Sequence, residues 1–336
     1  MIRTGIKAVD YYVPEKVVTN DDLSTIVETN DEWIASRTGI RRRHLSTGEN
    51  TSEFCIEVGK KLLSKTNTNP EDIDLIIVAT ITSDYSTPST ACLVQGALGC
   101  ENAWAFDLSA ACSGFVYALS VADKFVKSGQ YKKVLVFGAE TLSKIVDWTD
   151  RATCVLFGDG AGGALVEPSE DSGVIDEDMH SKGEDGLKLT GGERKVRNMV
   201  SNPEEENKNY LEMDGRAIFN FATKTVPKSV SILLERNNMS DVTAQIAERN
   251  GLNKDNINWI VPHQANSRII EVVAKKLKTT MDKFFIDVDE FGNTSAASIP
   301  IALGHMDSKG LIQKGDYIII TGFGGGLTWG STLIKW

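Results

Sequence analysis

The chain repeats itself at a distance of about half its length. The segment 71–78, EDIDLIIV, is matched by 255–261, DNINWIV, so that position 256 corresponds to position 72, a shift of 184 residues. A second pair of segments, 131–138 and 315–322, keeps the same shift. All four are short runs of β-branched and other apolar residues, the pattern of strands buried on both faces. The repeat therefore predicts two similar halves with the same strand arrangement.

Helical patterns separate these strands, and both halves contain a glycine-rich turn. Apolar residues at helical spacing run from 115 to 126 in the first half and from 267 to 277 in the second. The glycine-rich segments are 157–166 and 322–330. Alternating strands and helices predict an α/β fold of stacked layers. The two halves are predicted to be residues 1–170 and 171–336.

The composition fits a large enzyme. The chain has 336 residues, 41% of them hydrophobic, which can fill one broad core or two fused cores. A net charge of −10 disfavours binding to nucleic acid or to anionic membranes, so an acidic partner would need a local basic patch. Two candidate patches are 41–44 and 275–278, although the second also suits the solvated face of a helix.

The sequence carries no signal for export or membrane insertion. No apolar run is long enough to span a bilayer, and residues 1–5 lack a signal-peptide core, so a cytosolic location is expected. The odd number of scattered cysteines, without a Cys-x-x-Cys pair, argues against a disulfide framework and against a zinc site. The five cysteines are Cys55, Cys92, Cys100, Cys112 and Cys154.

The segment between the halves differs in character. From Ser169 to Glu212 the chain is polar and rich in Gly, Asp, Glu and Asn, which predicts a long excursion from the core. Loops of this length are often functional. A tolerated surface insertion would have the same composition.

Cys112 stands out from the other cysteines by its setting. It follows a predicted buried strand, 104–108, has small neighbours and precedes the helical pattern that starts at Phe115. A thiol at such a strand-to-helix turn lies along the helix N-terminus, whose N–H groups and dipole are expected to lower its pKa. A thiolate is well suited to make and break thioesters. Cys112 is therefore the candidate nucleophile, and the other cysteines are expected to be inert core residues.

His263 directly follows the predicted strand 259–262. In open α/β sheets ligands bind where strands end. Under the shift of 184 residues His263 corresponds to Ala79, so the two halves have diverged at this strand end. Such divergence fits a single site built from both halves.

Asn293 is the third candidate residue. It follows Gly292 in a predicted turn, where an asparagine can simply tolerate unusual backbone angles. Its small neighbours, 294–298, nevertheless leave room for a ligand. Together Cys112, His263 and Asn293 predict an acyl-transfer site.

Five segments in order resemble the thiolase-like condensing enzymes, most closely the β-ketoacyl-[acyl-carrier-protein] synthase III family. They are 37–40 (RTGI), 110–115 (AACSGF), 261–266 (VPHQAN), 292–298 (GNTSAAS) and 323–330 (FGGGLTWG). The resemblance extends over essentially the whole chain. It implies a thiolase-like five-layered α-β-α-β-α fold made of two duplicated halves, assembled as a homodimer, in agreement with the repeat.

The resemblance also implies a decarboxylative condensation. Cys112 would take the acyl group from an acyl-CoA primer, and malonyl-acyl-carrier protein would then lose carbon dioxide and attack it. His263 and Asn293 would donate to the malonyl thioester oxygen, where negative charge develops. The backbone N–H groups of Cys112 and Gly325 would form the oxyanion hole. The reaction would initiate type II fatty-acid synthesis and would need no metal or redox cofactor.

Further residues receive roles from the same match. Trp33 and Arg151 would hold the CoA adenine between them, a role for which both side chains are suited. Arg37 would face the CoA phosphates and Asn266 the pantetheine arm. Arg268, near His263, would contact the acidic carrier protein.

The match also places residues around the acyl tunnel. Thr87 would reach across the dimer into the pocket of the partner, where many relatives have a phenylalanine. Side chains of the same tunnel would be Leu142, Phe157, Leu189 and Leu211. The segment 237–250 is longer than in most relatives and is expected on the surface.

Other enzymes with related sites fit less well. Elongating ketoacyl synthases use a second histidine where Asn293 stands, thiolases need a second catalytic cysteine after Cys154, and hydroxymethylglutaryl-CoA synthases carry a glutamate near Ile81. A papain-like protease would be expected to show paired cysteines and a secretory segment. A non-catalytic protein of this fold would not need to keep all three catalytic residues. A condensing enzyme of secondary metabolism, of alkylquinolone or polyketide-starter type, stays open as the alternative.

Overall fold

The structure is a computed structural model that describes residues 3–202, 204, 207–237, 239 and 257–336. Its strands are β1 (Arg3–Tyr12), β2 (Val17–Thr19), β3 (Arg42–His44), β4 (Leu75–Ala79), β5 (Trp104–Leu108), β6 (Val134–Glu140), β7 (Gly160–Ser169), β8 (Gly173–Ser181), β9 (Leu189–Gly191), β10 (Leu211–Met213), β11 (Ile257–Pro262), β12 (Tyr317–Gly324) and β13 (Thr328–Lys335). Its helices are α1 (Asn20–Leu23), α2 (Asp31–Thr38), α3 (Thr51–Thr66), α4 (Thr90–Leu98), α5 (Gly114–Lys127), α6 (Arg151–Cys154), α7 (Gly215–Arg236), α8 (Ser267–Lys276), α9 (Val288–Phe291) and α10 (Ser298–Ser308). None of the described helices has the length and apolar character needed to cross a membrane.

The two predicted halves each contain one sheet. The first sheet has the strand order β1-β7-β6-β4-β5 and the second β11-β12-β13-β8. In the first, β4 runs parallel to β6 with Leu75 opposite Val134, and in the second β11 runs parallel to β12 with Trp259 opposite Ile318. The second pair lies 184 positions after the first. The repeat is thus confirmed down to the strand register.

The helices complete five layers. Helix α5 lies between the sheets, packing on β4 and β6 on one side and on β12 and β13 on the other, and α10 lies in the same layer. Helices α3 and α4 cover the outer face of the first sheet, and α7 and α8 cover the outer face of the second. The expected α-β-α-β-α fold is confirmed.

A glycine brings the central layer close to the first sheet. A Cβ atom at Gly138 in β6 would lie 2.1 Å from the carbonyl oxygen of Ala296. No side chain fits into that distance, so only glycine lets the 3-10 turn Ser295–Ala297 rest on the strand. Strand β6 therefore fixes the position of the turn that follows Asn293.

The halves differ most in one loop. Residues 141–159 join β6 to β7 in the first half, whereas residues 325–327 alone join β12 to β13 in the second. The longer loop carries helix α6 and reaches the other half at Phe157, whose backbone pairs with that of Asn293. The loop 141–159 therefore lies beside the carboxyl end of β6 and against the segment that contains Asn293.

Two predictions need correction, one about the strand 104–108 and one about the polar segment 169–212. Strand β5 was predicted to be buried, but it lies at the edge of the first sheet and Trp104 is 43% exposed, because the strand has a neighbour on one side only. The polar segment 169–212 is not wholly an excursion, since β8 pairs with β13 inside the second sheet. Its later part forms the small β9–β10 ribbon. Of the segment 237–250, predicted to be longer than in most relatives, residues 238 and 240–250 lie outside the described residues.

The arginine run at 41–44 does not form a basic patch. Arg43 is fully buried and donates to the Val155 carbonyl and to the side chain of Asn20. Arg42 forms an ion pair with Glu290. Arg42 and Arg43 therefore connect β3 to other segments of the chain, and their charges are not available to a partner.

Candidate active site

A cavity of about 460 Å³ opens beside the strand ends of both halves. Cys112, His263 and Asn293 all line it. Cys112 follows the carboxyl end of β5, His263 follows that of β11, and Asn293 follows helix α9. Three segments that are distant in the sequence therefore bring the three candidate residues to one cavity.

The chain around Cys112 makes a sharp turn. Cys112 lies in the 3-10 turn Ala111–Ser113, which leads directly into α5, and Ala111 has a positive φ of 45°. A Cβ atom at Gly324 would lie 2.9 Å from the backbone nitrogen of Cys112 and 3.2 Å from its Sγ. The glycine-rich segment of the second half can thus approach Cys112 because Gly324 has no side chain.

The thiol of Cys112 does not have the lowered pKa that the sequence predicted. Burial raises the pKa of Cys112 to about 12, and a hydrogen bond with the Ser295 side chain lowers it only in part. Burial destabilises the thiolate by more than the nearby helix N-terminus stabilises it. That prediction was wrong, and in the free protein Cys112 is a neutral thiol.

His263 is neutral as well. Burial lowers the pKa of His263 to about 3, because the imidazolium form would lose its hydration. Its Nδ1 atom lies 2.7 Å from Ser298 Oγ, and Ser298 Oγ also accepts the backbone N–H of Gln264 at 3.4 Å. We infer that Ser298 donates its proton to Nδ1, which leaves the proton of the imidazole on Nε2. The ring can then donate from Nε2.

The side chain of Asn293 is oriented by the turn that follows it. Its Oδ1 atom accepts the backbone N–H of Ser295 at 2.9 Å. Its own backbone donates to the carbonyl of Leu156 and accepts from Gly158. With Oδ1 engaged, the Nδ2 group is the part of the amide available to a ligand.

A buried carboxyl group lies behind these residues. Glu140, at the end of β6, is fully buried and accepts hydrogen bonds from Thr80, Thr82, Ser295 and the backbone of Ile81. Burial raises the pKa of Glu140 to about 7, although these bonds favour the ionised form. Sequence reasoning did not find Glu140. A single acidic residue closing an apolar strand was the available signal.

Three of the four predicted CoA contacts, Trp33, Arg37 and Arg151, form a cluster outside the lining of the cavity. The guanidinium carbons of Arg37 and Arg151 lie 4.6 and 4.9 Å from the centroid of the Trp33 ring. Arg151 also donates to the carbonyl of Glu28. The structure thus brings these three predicted residues together.

Asn266 and Arg268 lie at the start of α8. Asn266 lines the cavity, but its Oδ1 accepts the backbone N–H of Arg268 and its Nδ2 donates to the carbonyl of Arg37. Its polar atoms therefore cap α8 and join it to α2. Arg268 is exposed on the surface.

The walls of the cavity are mainly apolar. Four residues predicted for the acyl tunnel line it, whereas Thr87 is exposed and is not part of the cavity in its own chain. The four are Leu142, Phe157, Leu189 and Leu211. Leu189 and Leu211 belong to the β9–β10 ribbon, so part of the polar segment forms a wall of the site.

Several lining residues were missed from the sequence. Phe323 was visible in the glycine-rich motif, and its ring packs edge-on against His263 at 5.1 Å. Others carry no sequence signal, because ordinary apolar residues gain this role only through the fold. They include Met213, Ile218, Phe219 and Ile269. Within the described part of the chain, no three His, Cys, Asp or Glu residues could together hold a metal ion.

Two family models match the chain. The model of 3-oxoacyl-[acyl-carrier-protein (ACP)] synthase III matches residues 106–183, and the model of its C-terminal part matches residues 247–336. A curated β-ketoacyl-[acyl-carrier-protein] synthase III from Clostridium novyi (strain NT) is 50% identical over 336 residues, which cover 100% of both chains.

Solved structures give the same result. The 3-oxoacyl-[acyl-carrier-protein] synthase III from Aquifex aeolicus VF5 is similar with a TM-score of 0.89 and 42% identity, over 99% of this chain and 100% of that one. A priming β-ketosynthase from a polyketide pathway is similar with a TM-score of 0.86 and 32% identity, over 99% and 96% of the two chains.

Proposed function

The chain belongs to the β-ketoacyl-[acyl-carrier-protein] synthase III family, and from this premise we propose what each part of its site does. The protein is an acyltransferase that condenses an acyl-CoA primer with malonyl-acyl-carrier protein and so initiates type II fatty-acid synthesis. One observation carries the assignment of the site. Cys112, His263 and Asn293, from distant parts of the sequence, line a single cavity.

The first step is acyl transfer to Cys112. The sulfur attacks the acyl-CoA carbonyl, and CoA leaves as the thioester forms on the protein. The backbone N–H groups of Cys112 and Gly325 stabilise the oxyanion of the tetrahedral intermediate. The close approach of Gly324 to Cys112 supports this, since it brings the backbone of the glycine-rich turn beside the sulfur.

The second step is decarboxylation of the malonyl group. His263 Nε2 and Asn293 Nδ2 donate hydrogen bonds to the thioester oxygen, where negative charge grows as carbon dioxide leaves. Both donors are neutral and buried, so they are preorganised in surroundings of low dielectric constant. The carbanion equivalent then attacks the acyl group on Cys112 and gives the 3-oxoacyl product.

The acyl-CoA lies along a path from the surface to Cys112. The adenine stacks between Trp33 and Arg151 after the Arg151 guanidinium, which lies 4.9 Å from the centroid of the indole ring, moves away from it. Arg37 binds the CoA phosphates, and Asn266 borders the pantetheine arm. The acyl chain of the primer occupies the apolar part of the cavity, which is formed by Leu142, Phe157, Leu189 and Leu211.

The carrier protein docks beside α8. Arg268 is exposed at the start of this helix, next to Asn266 at the mouth of the cavity. An arginine suits an acidic partner, because its guanidinium can bind a carboxylate or phosphate through two hydrogen bonds. The phosphopantetheine arm of the carrier protein then reaches Cys112 by the route that CoA used.

The same proposal covers assembly, location and cofactors. The protein works as a cytoplasmic homodimer of chains that each contain the halves 1–170 and 171–336. The exposed edge of β5 supports dimerisation, since a strand with a free edge can pair with its copy. Neither a metal nor a redox cofactor is required, because a thiol and two hydrogen-bond donors suffice for thioester exchange and decarboxylation.

Labelled acetyl-CoA tests the assignment directly. The protein is incubated with the labelled primer, and the intact mass is measured before and after malonyl-acyl-carrier protein is added. We expect one acyl group on Cys112, which is lost as the 3-oxoacyl product appears. A protein that is not acylated at Cys112, or that condenses equally well with malonyl-CoA alone, would contradict the proposal.

The secondary-metabolism alternative is less well supported. The polyketide priming enzyme is 32% identical to this chain, whereas the curated synthase III is 50% identical over its whole length. A condensation that depends on the fatty-acid carrier protein would support fatty-acid initiation. A condensation that does not depend on it would support the secondary-metabolism alternative.

A further inference from the structure

The side chain of Thr328, the first residue of β13, links the two segments that would form the oxyanion hole. Its hydroxyl oxygen lies 2.9 Å from the carbonyl oxygen of Gly325 and 3.2 Å from that of Ala110. Because a carbonyl oxygen only accepts, the single hydroxyl proton is shared between the two in a three-centre hydrogen bond. One side chain therefore joins the glycine-rich turn of the second half to the turn that contains Cys112.

A second hydroxyl bond runs in the opposite direction. Ser113, which directly follows Cys112, is fully buried and donates from its hydroxyl to the carbonyl oxygen of Thr328 at 3.1 Å. The Ala110 carbonyl also accepts the backbone N–H of Ser113, which closes the 3-10 turn around Cys112. Thr328 thus bonds to both ends of this turn, to Ala110 through its hydroxyl and to Ser113 through its carbonyl.

The backbone of Gly325 depends on the Thr328 hydroxyl. Strand β12 ends at Gly324, which pairs with Thr328, so Gly325 is the first residue beyond the ladder. Leu327, in the same turn, exchanges two backbone hydrogen bonds with Lys182. Within the described part of the chain, the bond from Thr328 is the one hydrogen bond to the backbone of Gly325. Glycine has more accessible backbone conformations than any other residue, so this bond restricts the orientation of the Gly325 peptide groups.

The two proposed oxyanion donors belong to segments that only contacts in space hold together. A Cβ atom at Gly325 would lie 3.4 Å from the Cβ atom of Ala111, so the glycine-rich turn runs close beside the turn of Cys112. Residues 324–326 are all glycines and have no side chains that could interlock with that turn. Donors stabilise an oxyanion only where both lie within hydrogen-bond distance of it. A side chain that fixes the separation of the two turns therefore fixes the geometry of the hole.

We propose that Thr328 is a positioning residue that holds the N–H groups of Cys112 and Gly325 at the separation that the oxyanion requires. The inference deepens the proposed function and rests on Cys112 as the nucleophile. The Thr328 hydroxyl keeps its proton throughout the reaction, and its effect on the rate comes from the geometry of the two donors.

The role belongs to some steps of the reaction and not to others. Attack of Cys112 on the acyl-CoA and attack of the carbanion equivalent on the acyl-enzyme both form a tetrahedral oxyanion, so both need the hole. Malonyl decarboxylation places its charge on a different oxygen, beside His263 and Asn293. Decarboxylation is therefore independent of Thr328.

Single-turnover acylation by acetyl-CoA in Thr328→Val tests the proposal. Valine keeps the shape and β-branching of threonine but has no hydroxyl, so it removes the bonds to Gly325 and Ala110 and still suits the strand. We expect the maximal acylation rate to fall about tenfold to a hundredfold, because displaced donors lose part of their effect on the oxyanion. The acetyl-CoA concentration that gives the half-maximal rate should not change. Thr328→Ser keeps the hydroxyl and should restore the rate.

Thr332→Val is the matched control. It makes the same exchange four residues later in β13, at a fully buried hydroxyl that has no hydrogen-bond partner among the described residues. This variant should be acylated at the wild-type rate, since its hydroxyl bonds to neither turn. Urea unfolding of both valine variants shows that the rates compare folded proteins.

Release of labelled carbon dioxide from malonyl-acyl-carrier protein separates positioning from a general disturbance of the cavity. Thr328→Val should keep wild-type decarboxylation, whereas a disturbed cavity would slow decarboxylation and acylation together. If Thr328→Val does not fold, Ser113→Ala decides the question. It removes the second bond of the same linkage, so it should also slow acylation and spare decarboxylation.

Several results would overturn the positioning role. They are a wild-type acylation rate in Thr328→Val, a rate in Thr328→Ser as low as that in Thr328→Val, and a parallel loss of acylation and decarboxylation. A higher half-saturating concentration of acetyl-CoA at an unchanged maximal rate would also overturn it, because Thr328 would then act by contacting the substrate. Failure of the wild type to be acylated at Cys112 would instead overturn the proposed function.

Discussion

Burial makes both Cys112 and His263 neutral, which separates this site from one built on a thiolate–imidazolium pair. The pKa of Cys112 is about 12 and that of His263 about 3, and loss of hydration is the main cause in both cases. The same dry surroundings strengthen hydrogen bonds to negative charge that develops during the reaction. In the protein without ligand, the Cys112 thiol therefore stays protonated.

The two steps should separate in single variants. We expect Cys112→Ser to abolish acyl transfer, whereas His263→Ala and Asn293→Ala should still accept an acyl group on Cys112. Each of these two should lower malonyl decarboxylation by about a hundredfold to a thousandfold, because each removes one donor to the thioester oxygen. Intact mass measures the acyl group, and release of labelled carbon dioxide measures decarboxylation.

The pH dependence gives a check on the same assignment. With a pKa of about 3, His263 is already neutral throughout the range in which the protein can be assayed. Decarboxylation should therefore show no inflection that disappears in His263→Ala. Wild-type decarboxylation in either the His263 or the Asn293 variant would show that the roles are misassigned.

At the level of secondary structure, the close approach of the turn Ser295–Ala297 to β6 is open to test. We expect Gly138→Ala to lower the free energy of unfolding by about 1 to 3 kcal/mol or more, because its Cβ would lie 2.1 Å from the carbonyl oxygen of Ala296. The backbone N–H of Ser295 in this turn donates to Asn293 Oδ1, so malonyl decarboxylation should also slow. Urea unfolding measures the first effect and release of labelled carbon dioxide the second.

Gly96→Ala is the control for that variant. Gly96 lies inside α4, and a Cβ atom there would meet nothing within 4 Å. Alanine stabilises a helix interior relative to glycine by up to about 1 kcal/mol, so this variant should be equal to or more stable than the wild type. Equal stability of the two variants would mean that the turn does not depend on Gly138.

Elements with a local pattern could be predicted, and those defined by distant contacts could not. The strands β4, β6, β11 and β12 were predicted because their β-branched runs recur at one shift. Strand β8 was missed, since Val174 and Ile175 are followed by the polar run DEDMHS and their partner β13 lies far along the chain.

The features of the candidate site differ in the same way. Motifs at strand ends and turns predicted that Cys112, His263 and Asn293 lie together, and all three line one cavity. The raised pKa of Cys112 and the network of Glu140 depend on burial, which only the assembled layers create.

Helix α8 provides the prediction for the carrier protein. We expect Arg268→Glu to raise the KM for malonyl-acyl-carrier protein by about tenfold, since a repulsive charge replaces an attractive one at the rim of the interface. Acylation by acetyl-CoA should not change. Lys314→Glu makes the same change of charge shortly before β12 begins, at the end of the strands that lies away from the cavity. This variant should leave the KM unaltered. Equal effects of the two variants would indicate a general charge effect instead of docking.

At the scale of the whole molecule, β5 is an edge strand of the first sheet that has a partner on one side only. Trp104 in β5 packs with Phe106, Phe125 and Tyr131 in an aromatic cluster, and it is 43% exposed. A second copy that pairs along β5 would cover this cluster and join two sheets into one. The exposed loop that contains Thr87 leads into α4, which packs beside β5, so it lies close to such an interface.

In such a dimer, the acyl pocket would include a residue of the second copy. Thr87 is exposed and lies outside the cavity of its own chain, as expected for a residue that reaches into the partner. Threonine is much smaller than phenylalanine, so the tunnel should accept primers longer or more branched than acetyl, with each buried methylene contributing up to about 0.8 kcal/mol. We expect Thr87→Phe to shift the preference toward acetyl-CoA without slowing malonyl decarboxylation. Acylation by acetyl-, isobutyryl- and octanoyl-CoA is compared in the wild type, in Thr87→Phe and in the surface control Thr47→Phe. An unchanged order of preference would show that Leu142, Phe157, Leu189 and Leu211 already close the tunnel.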